Sequence, residues 1–177
     1  MGRLNHWHQP LLLSLVFTVA FHFSRALLRS RGFRQHTIAG TRVMYREPRS
    51  AKGAKVTPVL LLHGVGVGLF PYGTLLRHIA LDRPIIVPEL PHLFCRTATE
   101  IPETRRVVRW LRLVTATLAK KSGGRVVLLS HSYGTFYASC FLRAYPRAVA
   151  TNVLLEPASL LLCLGDVAYN FLERGPF

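Results

Sequence analysis

Short apolar runs alternate with helical segments along most of this chain, and this alternation constrains the fold more than any other feature. Four runs show little polar alternation: Pro58–Leu62, Pro84–Val87, Arg125–Leu129 and Thr151–Leu155. Such runs are typical of strands that are buried on both faces of a sheet. The helical segments between them indicate βαβ units. The sequence therefore predicts an α/β fold, with a parallel sheet flanked by helices on both faces.

The clearest predicted helix covers Pro102–Lys121. Its apolar residues recur at spacings of three and four, which places them on one face. Pro102 suits the first turn of this helix, and Gly123 suits the position just after its end. The other predicted elements are one or two strands over Gln35–Arg46 bent at Gly40, a short helix over Tyr72–Leu81, and a helix from Ser132 to about Ala144.

The segment Leu128–Gly134 carries a serine directly between a strand and a helix. Its sequence is Leu-Leu-Ser-His-Ser-Tyr-Gly, with small residues, Ser130 and Gly134, two positions before and after Ser132. A nucleophile elbow requires this strand–turn–helix context. Backbone N–H groups and the helix dipole at that point favour a developing negative charge. The pentapeptide alone is equally compatible with an ordinary helix N-cap.

A second motif is a glycine loop, His63–Gly68, which follows the strand Pro58–Leu62. Glycines after a strand allow backbone N–H groups to turn toward an oxyanion. A dinucleotide fingerprint is excluded, because Leu69 stands where the third glycine is required. A P-loop is excluded, because the loop lacks the terminal Gly-Lys-Ser/Thr.

Together these motifs resemble the α/β-hydrolase family from about Gln35 to the end of the chain, and the strand Thr151–Leu155 leading into Glu156-Pro157 continues the likeness. The resemblance implies that Ser132 is a nucleophile that attacks an ester, amide or thioester carbonyl. It also implies an oxyanion hole formed by backbone N–H groups. The implied donors are Val65 or Gly66 together with Tyr133, and the implied loop and elbow glycines are Gly64 and Gly134.

The sequence departs from the family at the remaining triad positions. The family order is serine, acid, histidine, but no histidine follows Ser132 in this chain. We expect His131 to point away across the elbow turn and to pack on the sheet or the oxyanion loop. His63 is expected to be structural. Glu156, just past a strand end, is a better candidate for the acid than the later carboxylates, Asp166 and Glu173, and no catalytic histidine is assigned.

Two hypotheses for function follow. The first is a serine hydrolase acting on an ester, with a lipid-like substrate, that is inactive or incomplete as given. The second is a non-catalytic, membrane-tethered interaction module built on the same scaffold. In both, residues 34–177 form the hydrolase domain, truncated after about its sixth strand. The last strand, Thr151–Leu155, is expected to need cover on both faces.

Residues 1–33 form a separate apolar and basic segment. Residues 4–24 contain no charged side chain, and residues 10–28 approach the roughly 20 apolar residues that span a bilayer if Arg25 snorkels. The arginines after the apolar run outnumber the single Arg3 before it, which favours a single-pass anchor with the domain in the cytosol. A mitochondrial transit peptide, a signal peptide and a core helix remain alternatives.

The formal charge of +15 divides into +7 over residues 1–46, which hold seven arginines and no acid, and +8 over the rest of the chain. We expect no nucleic-acid partner, because the sequence has no helix-turn-helix spacing, no RNA-binding aromatic signature and no zinc ligands. The three cysteines are far apart, which disfavours a disulfide framework or a metal site. Neither a metal nor a cofactor is predicted.

Overall fold

In the computed structural model, the described residues form a six-stranded sheet with helices on both of its faces. The structure describes residues 11–50, 52–66, 68–79, 81–94, 101–161 and 164–165. The strands are β1 (Phe33–Ile38), β2 (Thr41–Arg46), β3 (Val59–Leu62), β4 (Ile85–Pro88), β5 (Val126–His131) and β6 (Val149–Leu155). The helices are α1 (Leu11–Ser30), α2 (Gly73–His78), α3 (Thr104–Leu118), α4 (Gly134–Ala144) and α5 (Ala158–Leu161).

The strand order is β1-β2-β4-β3-β5-β6. The strands β4, β3, β5 and β6 are parallel, as predicted, whereas β1 and β2 form an antiparallel hairpin whose second strand pairs antiparallel with β4. The sheet is therefore mixed rather than wholly parallel. The hairpin turns through Ala39 and Gly40, both with positive φ, and a two-residue turn of this kind joins antiparallel strands.

The side chains of alternate residues in the central strands pack into two separate hydrophobic cores, one on each face of the sheet. Leu60 and Leu62 of β3 lie in the core covered by α3 and α4. Leu61 lies in the other core, which is covered by α1 and α2. The predicted apolar face of α3 is buried in the first core, apart from the partly buried Leu118. The α/β architecture with helices on both faces is thus confirmed.

The apolar N-terminal helix is present as α1, and its two halves differ. None of the residues Leu11–Ala20 is buried, whereas Phe21, Ser24 and Leu28 in the second half are. Among the described residues, α1 alone is long and apolar enough to cross a bilayer, with a mean hydropathy of 1.8. That property is shared by signal sequences and by core helices, so it is weak evidence for a membrane span.

The last strand, β6, lacks within the described residues the cover that its apolar sequence is expected to need. Its residues 150–153 are exposed, and in the described part of the chain β6 pairs only with β5. Of this strand, only Val149 belongs to either core. An apolar run predicts a strand, but its burial depends on the elements that pack against it.

Candidate active site

The predicted nucleophile lies at a sharp turn between β5 and α4. Ser132 adopts a left-handed backbone conformation, φ 49°, although it is not a glycine. Such a conformation costs on the order of 1–3 kcal/mol and persists only where the surrounding structure imposes it. Gly134 is required at the start of α4, because a Cβ there would lie 2.3 Å from the carbonyl oxygen of Leu62. The helix is therefore held against the end of β3.

Hydrogen bonds fix the backbone on both sides of Ser132. Its N–H donates to the carbonyl oxygen of Leu155 at 3.0 Å, which ties the elbow to β6. Its own carbonyl accepts from Thr135 Oγ1 at 2.6 Å. Tyr133 is the N-cap residue of α4, and no side chain among the described residues caps this helix. The N–H groups of Thr135 and Phe136 donate to the carbonyl oxygens of Ser132 and Tyr133 at 3.0 Å, whereas those of Tyr133 and Gly134 have no such bond within the described residues and are available to an anion.

The glycine loop lies directly against the elbow. A Cβ on Gly64 would approach Ser132 Cβ to 2.9 Å and His131 Nδ1 to 3.1 Å, so a side chain at this position would press on both. The N–H of Gly64 donates to Tyr72 Oη at 2.8 Å. The Tyr72 hydroxyl therefore holds Gly64 in place beside Ser132.

The two residues predicted as oxyanion donors from this loop differ in their backbone bonding. The N–H of Gly66 donates to the carbonyl oxygen of Leu93 at 3.0 Å, so it is already committed. The N–H of Val65 has no such bond within the described residues, and Val65 is exposed. The geometry thus disfavours Gly66 and favours Val65. Val67 lies outside the described residues.

His63, at the start of the loop, is a structural residue in this arrangement. Its ring is fully buried and stacks on Phe94 at 5.0 Å between centroids. Nδ1 contacts the carbonyl oxygen of Gly64 at 2.9 Å, and Nε2 accepts from the N–H of Leu90 at 3.3 Å. Burial lowers the pKa of His63 to about 4, the Gly64 hydrogen bond opposing this and His92 adding to it. The ring is therefore neutral near pH 7 and links the ends of β3 and β4.

His131 belongs to a hydrogen-bonded chain that runs away from the nucleophile. Its Nδ1 lies 2.7 Å from Tyr72 Oη, and its Nε2 lies 3.1 Å from Glu156 Oε2. Because Tyr72 Oη accepts from Gly64, its own proton can go to Nδ1, which leaves Nε2–H to donate to Glu156. Both ring nitrogens are thus engaged by groups other than Ser132. Burial raises the pKa of Tyr72.

Glu156, the candidate acid, contacts His131 from an exposed position. Its side chain is 84% exposed, and its backbone has φ 46°. Ser132 Oγ has no hydrogen-bond partner within the described part of the chain. Asp166 and Glu173 lie outside it. The structure therefore brings Glu156, His131 and the glycine loop together, but it assembles no serine–histidine pair among the described residues.

Sequence reasoning missed Tyr72, which connects the glycine loop to His131. It also missed His92, whose Nε2 lies 2.7 Å from Tyr137 Oη. Burial lowers the pKa of His92 and raises that of Tyr137 to about 12. Both tyrosines lie in helical segments where an aromatic residue is ordinarily a core residue. No spacing in the sequence marks them as polar partners.

A cavity of about 850 Å³ opens beside this site, between the end of β4 and α3. No residue of the elbow or of the glycine loop is among the described residues that line this cavity. Two lining residues contact the site: Phe94 stacks on His63, and His92 contacts Tyr137 of α4. Glu89, Arg42, Arg106 and Trp110 contribute to the wall. The cavity thus adjoins the candidate nucleophile without containing it.

The sequence matches the model of the alpha/beta hydrolase family over residues 59–177, which is more than half of the chain. The chain therefore belongs to this family. No curated protein sequence matches it. The match includes the glycine loop and the elbow described above.

Solved structures show the same fold at low sequence identity. The carboxylesterase CesB from Bacillus subtilis superimposes with a TM-score of 0.60 and 18% identity, covering 82% of this chain and 50% of that protein. The naproxen esterase from Bacillus subtilis gives 0.60 and 19%, with 81% and 50% covered. A membrane phospholipase A described as a bacterial virulence factor gives 0.52 and 20%, with 81% and 48% covered. The chain spans about half the length of these proteins.

Proposed function

We propose that this chain is a serine hydrolase of ester substrates, with Ser132 as its nucleophile. The observation that carries the proposal is the left-handed conformation of Ser132 at the junction of β5 and α4, with the glycine loop in contact with it. A strained serine at a strand–helix turn exposes its hydroxyl toward substrate. The N–H groups of Val65 and Tyr133 are the proposed oxyanion donors.

In the proposed reaction, Ser132 Oγ forms a bond to the ester carbonyl carbon, and the carbonyl π electrons move to the oxygen. That oxyanion accepts hydrogen bonds from the two N–H groups, each of which is worth several kcal/mol in a water-poor site. The hydroxyl proton must pass to a base and from there to the alkoxide oxygen, as the intermediate collapses and the carbon–oxygen bond to the leaving alcohol breaks. Ser132 is then acylated, and water hydrolyses this acyl ester to release the acid. His63 and His131 have both ring nitrogens bound elsewhere, and His92 is bonded to Tyr137. We therefore expect the chain as given to acylate slowly.

Lipid-like esters are the proposed substrate class. The support is the apolar surface of α1, which packs against the segment that follows the glycine loop through Phe23 and Phe70. One structural neighbour is a membrane phospholipase and two are esterases, which agrees with ester chemistry on this fold. The alternative is the non-catalytic interaction module, which the missing serine–histidine pair favours.

A fluorophosphonate probe tests the nucleophile. Such a probe reacts with serines that are activated by an oxyanion hole, so slow but specific labelling of the chain is expected. The change Ser132→Ala should abolish it. Ser139→Ala, which changes an exposed serine on α4, is the matched control and should label like the parent. Labelling that persists in Ser132→Ala would show that another residue is the nucleophile.

The rate of ester hydrolysis separates the two functions. Without a base, only the residual advantage of about 10³–10⁴-fold over water from the oxyanion hole and binding is expected. An aryl ester assay should detect this in the parent and not in Ser132→Ala. A rate typical of a complete hydrolase, reduced by His131→Ala, would show that His131 serves as the base. No labelling and no residual rate would leave the interaction module as the better account.

Membrane association of residues 10–28 is the second part of the proposal. Deleting residues 1–20 removes the exposed half of α1 but retains the buried Phe21, Ser24 and Leu28. The full chain should resist extraction by alkaline carbonate, and the deletion variant should be released. A full chain that is itself extracted by carbonate would show that α1 is not a membrane segment.

A further inference from the structure

The second half of α1 is held by the domain. Phe21 packs against Phe94 at 5.0 Å between ring centroids, and Arg31 Nη1 donates to the carbonyl oxygen of Gly73 at 2.6 Å. Arg25 Nε lies 3.2 Å from the carboxylate of Glu89, which is 2% exposed. These two atoms form an ion pair, because their geometry does not meet that of a hydrogen bond. Withdrawing Arg25 would leave a buried carboxylate without its partner, which is strongly unfavourable.

The first half of α1 is not buried by the domain. Leu11–Ala20 contains no charged side chain and no buried residue. At 1.5 Å per residue, a ten-residue helix is about 15 Å long. The hydrocarbon core of a bilayer is about 30 Å thick. While its second half stays docked, the described helix is therefore long enough for one leaflet and too short to cross both.

The exposed apolar surface continues from α1 onto the domain. Leu15, Val16, Val19 and Phe23 line a shallow groove together with Phe70, and the rings of Phe23 and Phe70 lie 5.8 Å apart. These five residues form one exposed apolar surface, which we call the apolar ridge. Phe70 is 47% exposed and lies between the glycine loop and α2. The ridge thus connects the first half of α1 to the loop that faces Ser132.

Arginines surround the domain end of α1. Arg29, in the last turn of the docked half, and Arg34, just beyond it, are both exposed. The cavity wall that includes Phe21 also carries Arg42, Arg106 and Arg109, all exposed, and Glu89, the one acid among its described lining residues, faces Arg25. A charge-free apolar element bordered by unneutralised arginines matches the interface of a bilayer that contains anionic lipids.

We propose that α1 is a one-leaflet anchor: the apolar ridge and Leu11–Ala20 enter one leaflet of an anionic bilayer while Phe21–Ser30 stays docked on the domain. This rests on the membrane part of the proposed function and not on the reactivity of Ser132. It replaces a single-pass span by a monotopic one. It also places the glycine loop at the lipid surface, so that acyl esters reach the nucleophile from the leaflet.

Topology is the first test. The full chain, with an epitope tag at each end, is synthesised in the presence of sealed vesicles of phosphatidylcholine and phosphatidylserine, and the vesicles are floated and treated with protease. The one-leaflet anchor predicts flotation with both tags digested. Protection of one tag would show a spanning helix and overturn the proposal. Failure to float would overturn it as well, including the case in which a second copy of the chain covers the ridge.

Depth is the second test. The native Cys95, Cys140 and Cys163 are replaced by serine, and an environment-sensitive fluorophore is attached at Val16→Cys, Phe70→Cys or Leu81→Cys. Leu81, 45% exposed, is a matched control because it precedes β4 at the opposite end of the sheet. Docked insertion predicts quenching by lipid-borne quenchers at positions 16 and 70 and none at 81. Quenching at 16 alone would mean that the helix inserts without the domain and would overturn the proposal.

Charge and apolar contributions are separated by variants with intact cores. Phe70→Asp should weaken vesicle partitioning roughly tenfold, since it removes an aromatic group from the leaflet. Leu81→Asp should leave partitioning within about twofold of the parent. Partitioning should be stronger with phosphatidylserine than without it and should fall with salt. Equal partitioning of Phe70→Asp and the parent would exclude Phe70 from the interface. Because none of these readouts requires turnover, they stand even if Ser132 proves unreactive.

Discussion

Strands β3 and β6 flank the same strand, β5, and both end in a short apolar run, yet these runs lie in different surroundings. In β3, Val59 through Leu62 are all buried between the two helical layers. In β6, Val153 is 37% exposed, and Leu154 and Leu155 are half-buried. An apolar run therefore indicates a strand reliably, whereas burial is decided by the elements stacked on it.

The two halves of the candidate site differ in the same way. On the β3 side, the glycine loop is fixed by the buried His63 and Tyr72, so the proposed oxyanion donor in this loop, Val65, has a fixed backbone on one side. On the β6 side, Glu156 is solvent-exposed and meets His131 at the surface. Preorganised donors contribute to catalysis only when they are held rigidly. Among the described residues, the β3 side, which contains the proposed oxyanion donor, is therefore held more rigidly than the β6 side, which contains Glu156.

The largest expected effect compares the last residues of the two strands. Leu62 and Leu155 pair with the adjacent Ser130 and His131 of β5, so they lie at the same end of the sheet but on opposite faces. Leu62→Ala should lower the free energy of unfolding by about 2–5 kcal/mol, because it leaves a cavity in a sealed core. Leu155→Ala should cost about 1 kcal/mol, since its site is already open. Urea denaturation of both variants in mild detergent measures the difference, and equal losses would contradict the comparison.

Protonation of His63 should give the next largest effect. Its pKa in the folded chain is about 4, against an ordinary value of 6.5. Between these values the unfolded chain binds the extra proton, so stability falls as the pH falls, by about 3 kcal/mol in total. This contribution is fully present above pH 6.5 and lost by about pH 4. In His63→Gln, whose amide retains a donor, the unfolding free energy should vary less with pH across this window. An unchanged slope would show that His63 is not the titrating group.

Removal of the Tyr72 hydroxyl should have a smaller effect. Tyr72→Phe leaves the N–H of Gly64 and Nδ1 of His131 without their partner, which should cost about 1–2 kcal/mol. Because Gly64 touches Ser132, fluorophosphonate labelling should slow as well. Tyr45→Phe, a half-buried tyrosine of β2 far along the sheet from the elbow, is the control and should label at the parent rate. Loss of stability without slower labelling would limit Tyr72 to a structural role.

Much of this arrangement follows from sequence, because the relevant signals are local. The apolar runs, the glycine loop and the Ser132 turn depend on residues that are adjacent in the chain, and the structure contains each of them. The hydrogen bonds from Tyr72 and the commitment of the Gly66 N–H to Leu93 join residues that are distant in sequence. No spacing rule predicts such pairs. The docking of α1 was missed for the same reason, since Arg25 meets Glu89 only after the sheet has formed.

The smallest expected effect concerns the Glu156–His131 contact on the open side of the site. A hydrogen bond to an exposed carboxylate contributes little, because water already solvates that group, and Glu156 is 84% exposed. Glu156→Gln should therefore change the unfolding free energy by less than about 0.5 kcal/mol. It retains a side-chain oxygen that accepts from His131 Nε2, so the Tyr72 network should persist. Fluorophosphonate labelling separates two roles for this residue: an unchanged rate is expected if Glu156 only orients His131. A strong decrease in the labelling rate, with the unfolding free energy unchanged, would mean that the carboxylate charge acts on the nucleophile through His131. The exposed β6 side of the site would then contribute to function.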